Sequence, residues 1–460
     1  MSGPGEANTT PVTDVRQLVA YLADGPKPRE KWRIGTEHEK FGFWRREGSR
    51  PPFARPDYAS GIRPTLEGIA RQGWEIVAEK GNPIALAKDG ASVSLEPGGQ
   101  FELSGAPLVN LHETRAELDA HFEALRPISD ELGLDWLMLG FDPIHARETV
   151  PWMPKGRYAI MRRYMPLKGS QGLDMMLRTC TVQVNLDFAS EADMVEKLRL
   201  SMALQPVATA LFANSPFKEG QDTGFASWRS QVWTDTDPDR CGIPPVIYEQ
   251  GFGFERYVDW LLDVPMYFVY RDGTYHDVAG QSFRSFMAGR LHNFSGERPR
   301  MSDWVDHMTT AFTEVRLKKF LEMRGADAGP PDMLAALPAL WVGLLYDDAA
   351  QKAAWSLIRE NCPDEVLSLR DTVPRQGLAA PWCGRTVRDL ARDVLAIAEQ
   401  GLKARAVKDA SGNDESIHLA PLHAIVERGE TLADRWRARL GGAWAGDVRG
   451  VYREAALFGG

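Results

Sequence analysis

Residues 33–43 read Arg33-Ile-Gly-Thr-Glu-His-Glu-Lys-Phe-Gly-Phe43, and their alternation predicts a strand with Glu37 and Glu39 on one face. Phe41 and Phe43 continue that face as apolar residues. Residues 92–96 run into Pro97-Gly98-Gly99, and Gln100-Phe101-Glu102-Leu103 follows. This is the pattern of a hairpin that brings Glu96 and Glu102 to one side. Residues 178–188 alternate most clearly: Val182, Val184, Leu186 and Phe188 oppose Thr181, Gln183, Asn185 and Asp187. Shorter strands are expected at 136–139 and 264–270. Helical spacing marks residues 12–23, with Thr13 as N-cap, and residues 111–132 and 192–213. Residues 46–63 and 233–245 read as loops, and from residue 331 onward the chain reads as mainly helical. The strands do not alternate with helices of βαβ length. That predicts an α+β fold with antiparallel neighbours. The expected organisation is a flexible segment 1–11, an α+β core 12–330 and a helical region 331–460 packed on it.

The unusual feature is acid on strands. Glu37, Glu39, Glu96, Glu102 and Glu322 lie in strand-like segments that also carry apolar residues. Carboxylates gathered on one face repel unless a positive charge sits among them, and Mg2+ is the economical candidate because it prefers carboxylate and water oxygens. Each motif alone has a plainer explanation: Glu37-x-Glu39 suits a solvated strand face, and Glu96 with Glu102 suits a surface hairpin. Gln183 and Asn185 suit the wet side of a half-buried strand. Arg316 and Arg324 follow Glu314 and Glu322 at two-residue spacing. They suit either surface ion pairs or neutralisation of a phosphate, whose oxygens match the guanidinium fork. Arg240, in an otherwise acidic loop, is a candidate clamp for a substrate carboxylate or a local salt bridge. Arg162 and Tyr164 sit at a helix end, facing substrate or solvent.

Composition narrows the class. The chain has 460 residues, 43% of them hydrophobic and 25% charged, as in ordinary globular proteins, and its net charge of -9 argues against nucleic-acid binding. No apolar run approaches the roughly 20 residues that span a bilayer. The small, polar start lacks the marks of a signal or transit peptide, so a cytoplasmic location is expected. The four cysteines, Cys180, Cys241, Cys362 and Cys383, form no C-x-x-C pair. Free thiols are the default, with a Cys362–Cys383 bridge allowed by spacing. P-loop, dinucleotide, nucleophile-elbow and zinc-protease motifs are all missing.

Taken together, the segments 33–43, 99–107, 178–187, 259–268 and 314–327 resemble the plant-type glutamate–cysteine ligases found in plants and many proteobacteria. The resemblance runs over nearly the whole chain. It implies a glutamine synthetase-like core, with a curved antiparallel sheet forming a funnel surrounded by helices. It implies ATP-dependent ligation of L-glutamate to L-cysteine through a γ-glutamyl phosphate, the first step of glutathione synthesis. By the same analogy Glu37, Glu39, Glu96, Glu102, Glu322 and Gln183 are expected metal ligands, with Arg316 and Arg324 at the transferring phosphoryl. Arg240, Arg162, Tyr164 and Asn185 are expected at substrate. The implied partners are glutamate, cysteine and ATP, with glutathione as a feedback ligand, on a monomer or homodimer. Three other readings stay open: a sister γ-glutamyl ligase with another amine acceptor, a silent binding protein, and a phosphotransferase.

Overall fold

The acidic segment forms the central strand of a nine-stranded sheet. In the computed structural model, which describes residues 8–55, 60–360 and 363–459, β1 is Ile34–Trp44. It is followed by β2 (Glu75–Glu79), β3 (Asn82–Lys88), β4 (Ala91–Leu95), β5 (Gln100–Ser104), β6 (Leu134–Leu137), β7 (Thr181–Leu186), β8 (Val315–Leu317) and β9 (Leu321–Asp327). The order is β8-β9-β7-β1-β5-β4-β3-β2, and β6 also pairs with β1. Each pairing is antiparallel. The expected α+β class with an antiparallel sheet is what the chain adopts, and the sheet is open.

Register decides which side chains share a face. Glu39 lies opposite Glu102 and Glu37 opposite Gln183. Ser94 lies opposite Glu102, and Glu322 opposite Asn185. All of these occupy one face, called here the front. The rear face carries Val93, Leu95, Phe101, Leu103, Val182, Val184, Leu317 and Met323, which are all buried. Helices Leu111–Leu132, Glu191–Leu211 and Pro331–Leu345 cover the rear and complete the hydrophobic core. A sheet buried on both sides fixes its register strongly, because a slip of one residue exchanges the two faces.

Several expectations shift. The first helix is Val15–Ala23 and is capped by Asp14, not Thr13. Val12 is held instead by the main chain at Pro299, where its amide donates over 2.8 Å. The strand expected at 264–270 shortens to Phe268–Arg271, because Met266 and Tyr267 bond to the loop at 278–281. The strands within 75–88 go beyond what the alternation predicts. Their turns, Lys80-Gly81 and Asp89-Gly90, have positive φ at both residues, the backbone of tight two-residue hairpins. Cys362 lies outside the described residues, and with it the Cys362–Cys383 bridge. Residues 1–7 of the expected N-terminal segment also lie outside them.

The helices Pro331–Leu345 and Val387–Arg405 cross where Gly343 meets Gly401. A Cβ on Gly401 would fall 1.9 Å from the Gly343 carbonyl oxygen. Gly401→Ala should therefore lower stability by about 2 kcal/mol through overpacking. Chemical denaturation should read this loss, while turnover per folded molecule stays at the wild-type level.

Candidate active site

The front of the sheet lines a cavity of about 110 Å³. β1, β5 and β7 supply its floor with the turn at Glu96-Pro97, and the helices Gly156–Tyr164, Gly172–Arg178 and Trp228–Trp233 lean over it. Among the described residues, Glu39, Glu96 and Glu102 each offer one carboxylate oxygen, and these lie within 4.8 Å of one another. Glu102 is held by hydroxyls at flanking front-face positions: Ser104 Oγ donates over 2.6 Å and Ser94 Oγ over 3.3 Å. The Thr181 amide donates to Glu39 over 2.9 Å. Burial and the neighbouring Glu96 and Glu102 push the Glu39 carboxyl well above its ordinary value. Burial likewise raises Glu102, with Glu96 adding to it. Carboxylates crowded in this way are a donor set that suits a hard cation.

Cations face these acids. Arg157, Arg229, Arg316 and Arg324 line the same cavity. Arg229 is buried and donates to the Arg324 carbonyl over 2.8 Å. Arg324 reaches Gln183, donating over 2.8 Å. A bulge between Met323 and Ala326 interrupts the β9–β7 register beside it. Bulges re-aim side chains in this way.

Glu322 departs from expectation. Its carboxylate is fully enclosed and lines neither this cavity nor the next. Arg316 Nη2 donates to both its oxygens, over 2.7 and 2.9 Å, and Lys318 Nζ lies 2.7 Å away. Arg324 also bonds to it. Burial alone would raise its pKa, but Arg316, Lys318 and Arg324 together hold the carboxyl well below the usual range. Glu322 thus stands as the shared counter-charge of three cations, apart from the three-carboxylate group. Glu37 also stays outside that group: it lines the cavity and accepts a bond from Asn185 Nδ2 over 3.0 Å.

Arg240, Arg162 and Tyr164 do not line the cavity. Arg240 is fully buried: it donates to Asp237 over 2.6 Å and to the Pro265 carbonyl over 2.6 Å, and its guanidinium stacks 3.9 Å from the Tyr267 ring. Its donors serve loop structure. Arg162 is exposed and lies over Trp152. Tyr164 packs edge-on against Tyr267. On that helix it is Arg157, Tyr158 and Met161 that enter the cavity. Sequence reasoning alone misses Arg157 and Arg229. Arg229 and Trp233 share a helix face at i, i+4 spacing, and recognising the helix Trp228–Trp233 would have exposed that signal.

A second cavity of about 500 Å³ meets the first at Glu37 and Thr309. Asn185 opens onto it, with Lys27, Arg33, Lys318 and Lys319 on its walls and the rings of Tyr21 and Phe320. The Asn185 side-chain oxygen is buried without a hydrogen-bond partner.

The sequence model of the glutamate-cysteine ligase family 2 (GCS2) matches residues 33–454. The chain belongs to this family. It is 50% identical over 447 residues to the chloroplastic glutamate–cysteine ligase of Brassica juncea, covering 97% of this chain and 84% of that protein. It is 51% identical over 447 residues to the chloroplastic ligase of Arabidopsis thaliana, covering 97% and 83%. The glutamate–cysteine ligase of Francisella tularensis, solved in complex with AMP, shares the fold with a TM-score of 0.53 at 12% identity, over 92% of this chain and 88% of that one. The expected cytoplasmic location is corrected, because these family members from B. juncea and A. thaliana are chloroplastic.

The acid cluster gives a pH test. A carboxyl with a raised native pKa holds its proton in the folded state after the unfolded chain has lost it. Stability contributed this way is full below the unfolded value and is lost as pH rises through the native one. Glu39→Gln carries no such group. In chelator, its stability relative to wild type should rise as the pH is raised above the ordinary carboxyl range. Urea unfolding across that rise checks the sign, and a gap independent of pH would remove Glu39 from the crowded cluster.

Proposed function

We propose that this chain is an ATP-dependent ligase that joins the γ-carboxylate of L-glutamate to the amine of L-cysteine, the first step of glutathione synthesis. The observation that carries the reading is the first cavity, where three crowded carboxylates confront four arginines in a member of the glutamate–cysteine ligase family. Glu39, Glu96 and Glu102 are the residues that would hold Mg2+, which when bound would neutralise phosphate charge and act as a Lewis acid.

In this reading the second cavity takes the nucleotide. Lys27, Arg33, Lys318 and Lys319 supply positive charge for its phosphates, and the rings of Tyr21 and Phe320 supply apolar surface for the base. The orphaned oxygen of Asn185 and the shared wall at Glu37 and Thr309 lie toward the junction. Arg157 and Arg229, brought in by separate helices, hold the carboxylates of the amino-acid substrates. Arg316 and Arg324 stand over the transferring phosphoryl.

The γ-carboxylate oxygen of glutamate attacks the terminal phosphorus of ATP, and ADP leaves. The amine of cysteine then attacks the γ-glutamyl phosphate at its acyl carbon. The C–N bond forms, the C–O bond to phosphate breaks, and the amine's proton passes to solvent or phosphate. Little covalent work falls to the protein. It positions the reactants and balances charge on phosphate oxygens, and these two effects supply most of the catalysis in phosphoryl transfer.

Phosphate release from Mg-ATP and L-glutamate, measured with L-cysteine and a panel of other amines, tests the reading. Mass spectrometry should find γ-glutamylcysteine, with cysteine giving the highest kcat/KM. Preference for another amine would move the chain to a sister ligase activity, and release without any amine would mark a phosphotransferase. Arg324→Met should reduce kcat/KM by about 10²-fold or more, the scale of losing a charge-stabilising donor. Arg162→Ala, outside the cavity, should retain near wild-type kinetics.

A further inference from the structure

The turn carrying Glu96 is fastened by buried groups that line neither cavity. Glu96-Pro97-Gly98-Gly99 is tight: the Gly99 amide donates to the Glu96 carbonyl over 2.9 Å. It is pressed on the helix Gly172–Arg178, since a Cβ on Gly98 would fall 2.4 Å from the Leu177 carbonyl oxygen. Arg50 secures it: Nη2 donates to the Gly98 carbonyl over 2.7 Å, and Nη1 to Asp142 over 2.8 Å. The two side chains are 3% and 1% exposed. Asp142 is itself fixed by the amides of Ile144 and His145 and by the His145 ring. The Arg50 guanidinium rests 4.7 Å over the Phe41 ring. Phe41 lies two residues beyond Glu39 on β1 and opposite Gln100.

Arg50 therefore spans the two backbone segments that supply Glu39 and Glu96. A buried ion pair is weak evidence of stabilisation, because apolar side chains of similar volume often serve as well. Its geometry here is aimed at one carbonyl of one turn.

We propose that Arg50, held by Asp142, is a positioning residue of the three-carboxylate site: it fixes the turn so that Glu96 meets Glu39 and Glu102 within reach of one cation. This rests on reading those three acids as a cation site. Outer partners that orient metal ligands typically matter to affinity by about 10–100-fold when removed.

The test uses the full chain with Mn2+ as probe, its free ion followed by electron paramagnetic resonance, alongside the Mg2+ dependence of phosphate release. Arg50→Met is combined with Asp142→Asn so that no buried carboxylate is left unpaired. This double variant should weaken Mn2+ binding and raise the half-saturating Mg2+ by about tenfold, with kcat at saturating Mg2+ held within a few-fold. Arg50→Lys should recover part of the loss. Arg405→Met breaks another pair, between half-buried Arg405 and buried Glu415 at 2.7 Å, away from both cavities. It should lower the melting temperature and leave cation affinity unchanged. A folded double variant with wild-type Mn2+ affinity, or an equal shift in Arg405→Met, overturns the proposal. Absence of Mn2+ binding in the wild type instead overturns the cation-site reading beneath it.

Discussion

Glu39 and Glu102 face each other directly across an antiparallel pair, an arrangement that ordinarily destabilises a sheet. Much of the surrounding structure answers that repulsion. Hydroxyls of Ser94 and Ser104 and the Thr181 amide bond to the two acids. Helices lay arginines over them. The rear of β5 and β7 is apolar and packed, and that of β1 adds buried His38 and Lys40, so a one-residue slip would set the acids against that core. Register, enclosure and charge balance therefore depend on one another.

The sheet's central features were legible because period-two alternation is a local signal. β1, β5 and β7 could be placed from their side-chain pattern, and the two-sided burial explains why acids opposed to Phe, Val and Leu stood out. The hairpins of residues 75–95 were hidden by a different cause. Their strands are short and partly exposed, and their informative residues are the turn pairs Lys80-Gly81 and Asp89-Gly90. Arg157 was not legible, because a lone arginine on a helix carries no periodic mark of what the helix covers, and the pairing of Arg229 with Trp233 was hidden because the short helix Trp228–Trp233 read as the approach to a loop. Arg240 misled for the complementary reason. Its acidic neighbours suggested a clamp for a ligand, yet Asp237 and two main-chain carbonyls take its donors first.

Glu322 shows how spacing can report proximity without role. Its position on β9, opposite Asn185, places it on the front face as the alternation requires. The same face also brings Arg316 directly opposite it on β8, and a fully enclosed carboxylate takes the nearest cations. Sequence distance alone does not rank these partners; the hairpin of β8 and β9 does.

That hairpin ties the two cavities together. Arg316 and Arg324 project into the first and Lys318 into the second, and all three are bonded to one carboxylate. Because Glu322 is enclosed, its bonds are not shared with bulk water, and the three cations are held in place before any ligand arrives. A flexible arginine that had to be ordered during the reaction would add an entropic cost to the barrier; one already bonded at several donors does not. The bulge next to Arg324 fits the same logic. An unbroken β9–β7 ladder would continue the regular alternation, whereas the irregularity at Arg324 and Gly325 turns the guanidinium toward both Gln183 and Glu322. The local loss of ladder pairing is the structural cost of placing one charge at the meeting point of acid, amide and cavity.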